Sequence, residues 1–180
     1  MPLVSRRAVL AFVLVAAAVA GAALAEDDAQ NTLILTTKHG KVVIRLRPDL
    51  APKHVAQIKT LVKRKFYDGI VFHRVIPGFM AQTGDPTGTG SGGSDLPDLK
   101  AEFSSEPFKR GTVGMARASD PDSANSQFFI CFGDASFLDG QYTVFGEVVS
   151  GMDVVDKIKA GEPPTDPDKI VTLRLAGDAK

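Results

Sequence analysis

Short runs of β-branched and apolar residues recur along the chain and predict a protein built mainly of strands. The first two runs, "NTLILTT" (31–37) and "KVVIRL" (41–46), flank His39-Gly40. Two such runs around a glycine-containing turn are typical of a β-hairpin. Clusters of Gly, Pro, Asp and Ser separate the later runs, as expected where strands end. Further strands are predicted at "IVFHRV" (70–75), "FMAQTG" (79–84), "GTVGMA" (111–116), "SQFFICF" (126–132), "YTVFGEVV" (142–149) and "IVTLRL" (170–175).

Two other segments carry the apolar spacing of amphipathic helices. In "PKHVAQIKTLVK" (52–63) a proline stands at the head, and the apolar residues that follow fall on one face, which predicts a short helix. A second helix is predicted at "MDVVDKIK" (152–159), with Met152, Val155 and Ile158 on its inner side. The apolar face of the first helix comprises Val55, Ile58, Leu61 and Val62.

Eight short strands and two helices in one small domain indicate a sheet that closes on itself, because closure removes unpaired strand edges. The helices would then cap the ends of the barrel. The many Phe, Ile and Val side chains argue for a filled interior, so a hollow barrel that carries a small apolar ligand is the weaker interpretation. The predicted fold class is therefore mainly β, a closed eight-stranded β-barrel capped by two α-helices.

Composition and charge fit one globular domain without a strongly charged partner. The 180 residues suffice for a single core, and a hydrophobic content of 44% is ordinary. The first 25 residues contain two arginines and no acid, so 19 basic and 21 acidic side chains remain beyond them, a net charge of −2. This near balance gives no electrostatic footprint for a nucleic acid or an anionic membrane, and we expect neither as a partner.

Residues 1–25 have the layout of a secretory signal sequence. Arg6 and Arg7 precede an uncharged apolar run, and Ala23-Leu24-Ala25 leads into acidic residues. Cleavage after Ala25 would leave a domain of residues 26–180 in the periplasm or secreted, free of the membrane. An uncleaved membrane anchor is the alternative, because the apolar stretch has about the length at which spanning becomes possible. The arginine pair leaves both general and twin-arginine export open.

Cys131 is the only cysteine of the chain, so no internal disulfide can form. It lies within the apolar run "FFICF". A cysteine in such surroundings is predicted to be a small buried hydrophobic residue rather than a reactive thiol. The stability of the domain must then come from packing.

No motif for metal, phosphate or hydrolytic chemistry stands out. The histidines share no metal-ligand spacing, and no serine lies in a nucleophile elbow, so we expect neither a metal nor a cofactor. The glycine-rich tract "TGTGSGG" (87–93) lacks the Lys-Ser/Thr of a P-loop and is predicted to be a surface loop whose glycines adopt positive φ. His73 alternates with Arg74 in a predicted strand, so it should face the opposite side as a structural histidine with satisfied hydrogen bonds.

The segment "FHRVIPGFMAQTG" (72–84) combines a cation, aromatic and thioether side chains and an amide, but no nucleophile beside a base. Strand alternation predicts that Phe72 and Arg74 point to one face. Alternation separates Phe79 from Met80, so the Pro77-Gly78 bend would have to bring those two side chains together. Taken singly, each residue also fits a barrel core with one ion-paired arginine.

Four motifs in chain order resemble the cyclophilin family of peptidyl-prolyl cis-trans isomerases: "FHRVIPGFMAQTGD", "GTVGMA", "SQFFICF" and "FLDGQYTVFGEVVSGMD". The resemblance covers nearly everything from Asn31 to Ala176, and the short "KRKFYDG" connection is similar to that of bacterial exported members. It implies an eight-stranded antiparallel barrel capped by two helices, with Arg74 as the catalytic residue. It also implies a proline pocket of Phe79, Met80, Phe129 and Leu138, and a peptide groove that includes Gln82, Ala116 and Gln127.

Phe137 and Tyr142 belong to the implied substrate site, but many eukaryotic members have tryptophan and histidine at these positions. Both replacements resemble bacterial cyclophilins, so activity is expected. Binding of cyclosporin is expected to be weak at most, because the indole N–H donor is missing. Arg117 stands where the family often has asparagine, a residue that the family uses mainly through its backbone.

Rotation about an X-Pro bond explains a site that lacks a nucleophile. Resonance gives the amide a rotational barrier of ~18–20 kcal/mol, and the reaction breaks no covalent bond. At the twisted transition state the nitrogen is a better hydrogen-bond acceptor, so a guanidinium donor from Arg74 would bind that state better than the substrate. We therefore expect an isomerase that acts on proline-containing peptides and on unfolded or partly folded exported proteins. The alternative is a chaperone or assembly module that binds proline-containing segments, with incidental turnover.

Overall fold

The computed structural model describes residues 28–178, whose eight strands form one antiparallel sheet. Each predicted strand is confirmed, and most are shorter than the run that predicted them. The predicted signal sequence, residues 1–25, lies outside the described residues. The elements are β1 (Thr32–Thr37), β2 (Gly40–Leu46), α1 (Pro52–Lys63), β3 (Arg74–Ile76), β4 (Met80–Thr83), β5 (Thr112–Met115), β6 (Phe128–Cys131), a 3₁₀ turn (Ser136–Leu138), β7 (Val144–Ser150), α2 (Met152–Val155), β8 (Thr172–Leu175) and a second 3₁₀ turn (Ala176–Asp178).

β1 and β2 form the predicted hairpin, with Thr37 paired to Gly40 across the turn. Gly40 has a φ of +137°, a conformation that favours glycine and allows the chain to reverse within two residues. Along β1, buried positions alternate with partly exposed ones, and Leu33 and Leu35 enter the core. The alternating sequence pattern therefore predicted the buried face correctly.

The sheet curls into a half-barrel, and the closed barrel predicted from the sequence is not established. The strand order is β3-β4-β6-β5-β7-β2-β1-β8, so β3 and β8 are edge strands that do not pair with each other. Val75 of β3 instead exchanges backbone hydrogen bonds of 2.8 and 2.9 Å with Gly161, which occupies the outer edge of that strand. The segments before β3 and β8 meet at an isolated bridge between Val71 and Lys169, and the amide of Gly69 also donates to the carbonyl of Ile170 at 2.7 Å.

Helix α1 has the bounds that the sequence predicted, with Pro52 in its first turn. Its N-cap, Ala51, has no side chain that can accept a hydrogen bond, and a distant carboxylate takes over this task. Glu102 accepts the backbone N–H of Lys53 and of His54, each at 3.1 Å, and contacts Nδ1 of His54 at 2.7 Å. Val55, Ile58, Leu61 and Val62 are buried, as their spacing predicted.

Helix α2 is a correction to the prediction, because it spans only four residues of the eight that were predicted. After Val155 the backbone changes to the tighter turn of a 3₁₀-helix. The amides of Lys157 and Ile158 donate to the carbonyls of Val154 and Val155, three residues earlier. Val155 and Ile158 are buried as expected, and Met152 is partly buried. The periodicity thus identified the inner face but not the length of the helix.

Two apolar clusters fill the interior. The larger lies between the concave face of the sheet and α1 and contains large, fully buried side chains such as Tyr67, Phe72 and Phe145, which contradicts the hollow-barrel interpretation. The smaller cluster contains Met80, Phe108, Phe129, Cys131 and Leu138, with Phe79 and Tyr142 packed against it. Within residues 28–178, no helix is long and apolar enough to cross a membrane.

Candidate active site

A cavity of about 130 Å³, here called the central cavity, brings together eight of the ten residues predicted for the site. Its walls are apolar on one side and polar on the other, and β3 contributes the guanidinium of Arg74. A second arginine, Arg117, also lines the cavity. The lining residues are Arg74, Phe79, Met80, Gln82, Ala116, Arg117, Phe129, Leu138 and Tyr142.

The polar and apolar walls follow from the register of adjacent strands. Arg74 of β3 lies opposite Gln82 of β4, and Gln82 lies opposite Phe129 of β6. Directly opposed residues of antiparallel strands share a face of the sheet, so these three side chains form a row across it. Phe129 in turn lies opposite Gly114 of β5, where the missing side chain leaves room for the phenyl ring. The row places the cation at one end and the apolar wall at the other.

The bend at Pro77-Gly78 brings Phe79 to the same cavity as Met80, as the sequence interpretation required. The amide of Phe79 donates to the carbonyl of Ile76 at 3.0 Å, and Gly78 has a φ of +76°. Met80 then begins β4. A tight turn therefore achieves what strand alternation could not.

Aromatic contacts hold the apolar wall in place. The ring of Phe129 stacks on Phe108 with centroids 5.7 Å apart and meets Tyr142 edge-to-face at 6.0 Å. Phe79 contacts Phe137 at a centroid distance of 5.2 Å, and Phe137 is 62% exposed, at the rim and outside the lining of the central cavity. Phe108 was missed from the sequence because it lies in an irregular connection without periodicity.

Gln127, the other predicted site residue outside the central cavity, lines a neighbouring space of about 630 Å³, the loop cavity. Its Oε1 accepts a hydrogen bond from Nε2 of Gln82 at 2.9 Å. Its own Nε2 donates to the carbonyls of Gly90 at 3.0 Å and Gly92 at 2.8 Å. Gln127 therefore connects the row of side chains on the sheet to the glycine-rich tract.

The glycine-rich tract is a loop folded around a buried carboxylate. Asp85, 1% exposed, accepts hydrogen bonds from the amide and hydroxyl of Thr87, both at 2.8 Å, and from the amide of Gly90 at 2.6 Å. Burial alone would raise the pKa of Asp85, but these hydrogen bonds outweigh it and lower the pKa to about 2. Gly88 and Gly90 have positive φ, as predicted for a surface loop.

Arg74 is paired with a residue that the sequence did not indicate. Its Nε donates to a carboxylate oxygen of Glu162, and both side chains border a third space of about 420 Å³, the edge cavity. The bridge between Val75 and Gly161 places these two side chains next to each other. Among residues 28–178, no group accepts a hydrogen bond from the two terminal nitrogens of Arg74, whose side chain is 42% exposed. They are thus available to a ligand.

His73 corrects two expectations. It is 6% exposed, yet neither ring nitrogen finds a hydrogen-bond partner within the described part of the chain. It also lines the edge cavity together with Arg74, whereas Phe72 is fully buried in the larger core cluster. Strict alternation fails here because β3 begins only at Arg74. Burial lowers the pKa of His73, and the Asp85 carboxylate opposes that effect more weakly.

Comparison with known proteins identifies the class of protein that this fold and site define. Residues 32–175 match the model of the family described as "Cyclophilin type peptidyl-prolyl cis-trans isomerase/CLD". The chain therefore belongs to this family and is a peptidyl-prolyl cis-trans isomerase, as the sequence motifs implied. No group of three or more His, Cys, Asp or Glu side chains that could hold a metal occurs among residues 28–178.

Curated relatives carry the same description over most of their length. A probable peptidyl-prolyl cis-trans isomerase of Brucella suis biovar 1 (strain 1330) is 59% identical over 169 residues, which cover 85% of this chain and 86% of that protein. A peptidyl-prolyl cis-trans isomerase of Helicobacter pylori (strain ATCC 700392 / 26695) is 44% identical over 143 residues, covering 76% and 86%.

Solved structures agree with the fold. The cyclophilin AquaCyp293 from Hirschia baltica superposes with a TM-score of 0.79 at 32% identity, covering 85% of this chain and 76% of that chain. A Cryptosporidium parvum cyclophilin type peptidyl-prolyl cis-trans isomerase, crystallised in the presence of the dipeptide Ala-Pro, gives a TM-score of 0.75 at 28% identity and coverages of 80% and 98%.

Proposed function

We propose that Arg74 is the catalytic residue of this isomerase and that the central cavity holds the proline ring of the substrate. The observation that carries the proposal is their shared geometry: the guanidinium borders the same cavity of about 130 Å³ as the apolar side chains of Phe79, Met80 and Phe129. The apolar wall would anchor the ring while the preceding carbonyl group turns. Leu138 would complete this wall. The rest of the peptide would contact Gln82, Ala116, Gln127, Phe137 and Tyr142.

The chemistry follows from how the amide nitrogen changes during rotation. In the planar ground state its lone pair is delocalised, and at the twisted transition state it becomes a hydrogen-bond acceptor. A guanidinium that donates to this nitrogen stabilises the transition state more than the substrate. Arginine suits the task because it stays charged at all relevant pH values, and apolar walls lower the dielectric constant around it.

The energies are compatible with one donor as the main catalytic group. An acceleration of about a thousandfold requires a transition-state stabilisation of about 4 kcal/mol. One preorganised donor in a site that excludes water supplies on the order of 3 kcal/mol. Anchoring of the ring in the apolar cavity would contribute the remainder.

Replacement of Arg74 tests this assignment. The Arg74→Ala variant should isomerise a proline peptide about a hundredfold more slowly than the wild type, while its affinity for the peptide changes little. NMR exchange spectroscopy measures the rate, and titration of the same peptide measures binding. A wild-type rate in Arg74→Ala would contradict the catalytic assignment. A cellular role that survives the loss of turnover would favour the chaperone or assembly module instead.

We further propose that the enzyme acts in the periplasm or after secretion, on unfolded and partly folded exported proteins. The charged, apolar and small-residue layout of residues 1–25 supports this location. Mass spectrometry of the mature N-terminus provides the test. Glu26 as the first residue would mean release after cleavage, and Met1 or Pro2 would mean that the segment is retained as an anchor.

Weak cyclosporin binding is part of the proposal. Phe137 offers an exposed phenyl ring at the rim of the site, but no N–H group to donate a hydrogen bond. Isothermal titration with cyclosporin should therefore give an affinity well below that of a member with tryptophan at this position.

A further inference from the structure

We propose that Arg117 is a specificity-determining residue, which favours substrates with an acidic side chain close to the isomerised proline. The proposal rests on the assignment of the central cavity to the proline ring. Arg117 lines the central cavity, the loop cavity and the edge cavity. A side chain at the junction of all three meets the residues that flank a proline bound in the first.

The guanidinium of Arg117 is held in one position before any ligand binds. Its Nε and Nη2 donate to the carbonyl of Gln141 at 3.3 and 3.0 Å, and Nη1 donates to the carbonyls of Ala118 at 2.9 Å and Ser119 at 3.3 Å. The group also lies over the ring of Tyr142, 4.5 Å from its centroid. A ligand that contacts it loses little side-chain entropy, which favours specific recognition.

The positive charge of Arg117 is not neutralised by these contacts. All of its partners are backbone carbonyls or an aromatic ring, and within residues 28–178 no carboxylate forms an ion pair with it. The carboxylates that border the same cavities are engaged elsewhere: Glu162 binds Arg74, and Asp98 accepts a hydrogen bond from Asn125 at 2.9 Å. Since an arginine has five N–H donors and four are used by these bonds, one remains for a ligand.

A peptide carboxylate would therefore find both an unpaired charge and a free donor beside the proline. The site is open to solvent, so the preference should be modest, about two- to fivefold over a neutral side chain, as for exposed ion pairs. It should weaken as salt is added. A lysine at the same peptide position should be disfavoured.

The experiment uses peptides with one Ala-Pro core and a single Glu, Gln or Lys placed from two residues before the proline to two residues after it. NMR exchange spectroscopy gives kcat/KM for each peptide at low and high salt. At one position the wild type should turn over the Glu peptide about two- to fivefold faster than the Gln peptide at low salt. Arg117→Gln should abolish this ratio, and Arg117→Lys should retain it. Arg45→Gln is the matched control and should leave the ratio unchanged, because it removes a positive charge of β2 that is paired with Glu147 of β7.

Equal turnover of the Glu and Gln peptides by the wild type, or a ratio that persists in Arg117→Gln, would overturn the inference. A uniform loss of activity on every peptide in Arg117→Gln, with the ratio intact, would also overturn it, because it indicates a structural role. A different result would show that the underlying site assignment is wrong. In that case the wild type and Arg74→Ala would isomerise the neutral Gln peptide equally fast.

Discussion

The Nε of Arg74 donates a hydrogen bond to the carboxylate of Glu162, a residue 88 positions further along the chain. The pair forms because Gly161 is hydrogen-bonded to Val75 at the outer edge of β3. This backbone contact places the next residue, Glu162, beside the guanidinium of Arg74. The bond occupies Nε alone. Among residues 28–178 the terminal nitrogens of Arg74 have no hydrogen-bond acceptor, so they stay available for the role proposed above.

Replacement of Glu162 by Ala should lower kcat about threefold to tenfold with little change in KM, because the guanidinium loses its orientation and not its charge. Glu162→Gln should stay closer to the wild type, since the amide oxygen can still accept from Nε. NMR exchange spectroscopy at several peptide concentrations gives kcat and KM for both variants. In an Arg74→Ala background, Glu162→Ala should have no further effect on the rate. Faster turnover in either single variant would show that the carboxylate masks the cation instead of orienting it.

Asp85 should make the free energy of unfolding depend on pH in the acidic range. Its pKa is lowered from the ordinary 3.8 to about 2 in the folded state, so folding favours the ionised form. The resulting stabilisation, roughly 2 kcal/mol, is fully present above about pH 4 and is lost as the pH falls through about 2. Urea denaturation between pH 7 and 2 measures this component.

The Asp85→Asn variant should be less stable than the wild type at neutral pH by about 2 kcal/mol, because an amide nitrogen would face the donor of Gly90. Its urea midpoint should also lack the acid-dependent component assigned to Asp85. Thr89→Ala is a control that keeps the carboxylate: it removes the 3.5 Å contact to Asp85, the 2.8 Å hydrogen bond with the hydroxyl of Thr87 and the 3.2 Å hydrogen bond from the amide of Ser91, and it should keep the acid-dependent component. An unchanged acid profile in Asp85→Asn would mean that another carboxyl group is responsible.

Gly114→Ala should displace an aromatic ring that forms or supports the apolar wall of the site. A Cβ at this position would lie 2.6 Å from ring atoms of both Phe108 and Phe129, so a ring must move. Overpacking of this kind costs about 1–3 kcal/mol of stability. Displacement of Phe129 into the central cavity should raise KM for proline peptides, as steady-state kinetics would show. Phe108→Leu in the same background makes room and should restore part of the affinity; wild-type KM in Gly114→Ala would contradict the packing argument.

Cys131 should be inert in the folded protein. It is fully buried in β6, and burial raises the pKa of its thiol to about 12, so almost no thiolate forms at neutral pH. Labelling with a thiol-specific disulfide reagent should proceed only as fast as the protein unfolds, and immediately in guanidinium chloride. Rapid labelling under native conditions would show that β6 opens locally.

The strands and the first helix were predictable because their signals are local. The alternation in β1 and the proline-headed apolar face of α1 are each readable within a dozen residues. The closed barrel was not predictable in the same way, because closure depends on which distant segment reaches the edge of β3. That segment is the loop at Gly161, not β8. The prediction of the length of α2 was wrong for a related reason. The apolar periodicity continues through Ile158, but the α-helical hydrogen bonding does not.

The site residues were predicted mainly through motifs. The residues that the prediction missed or misplaced were so for different reasons. Eight of the ten named residues line the central cavity, while Gln127 and Phe137 lie beside it. Asp85 had a usable signal, because the run Asp85-Pro86-Thr87-Gly88 is typical of turns that an Asp side chain stabilises. Glu162 had no local signal, since only the tertiary fold brings it to Arg74. His73 was misplaced because alternation was extended beyond the true start of β3.

The wall residues Met80 and Phe129 belong to β4 and β6, strands that are paired on both sides within the sheet that carries the hydrophobic interior. Heating cannot loosen this wall without loosening the sheet. Thermal inactivation and melting should therefore coincide in one cooperative step, and isomerase activity should persist up to the temperature at which the domain itself unfolds.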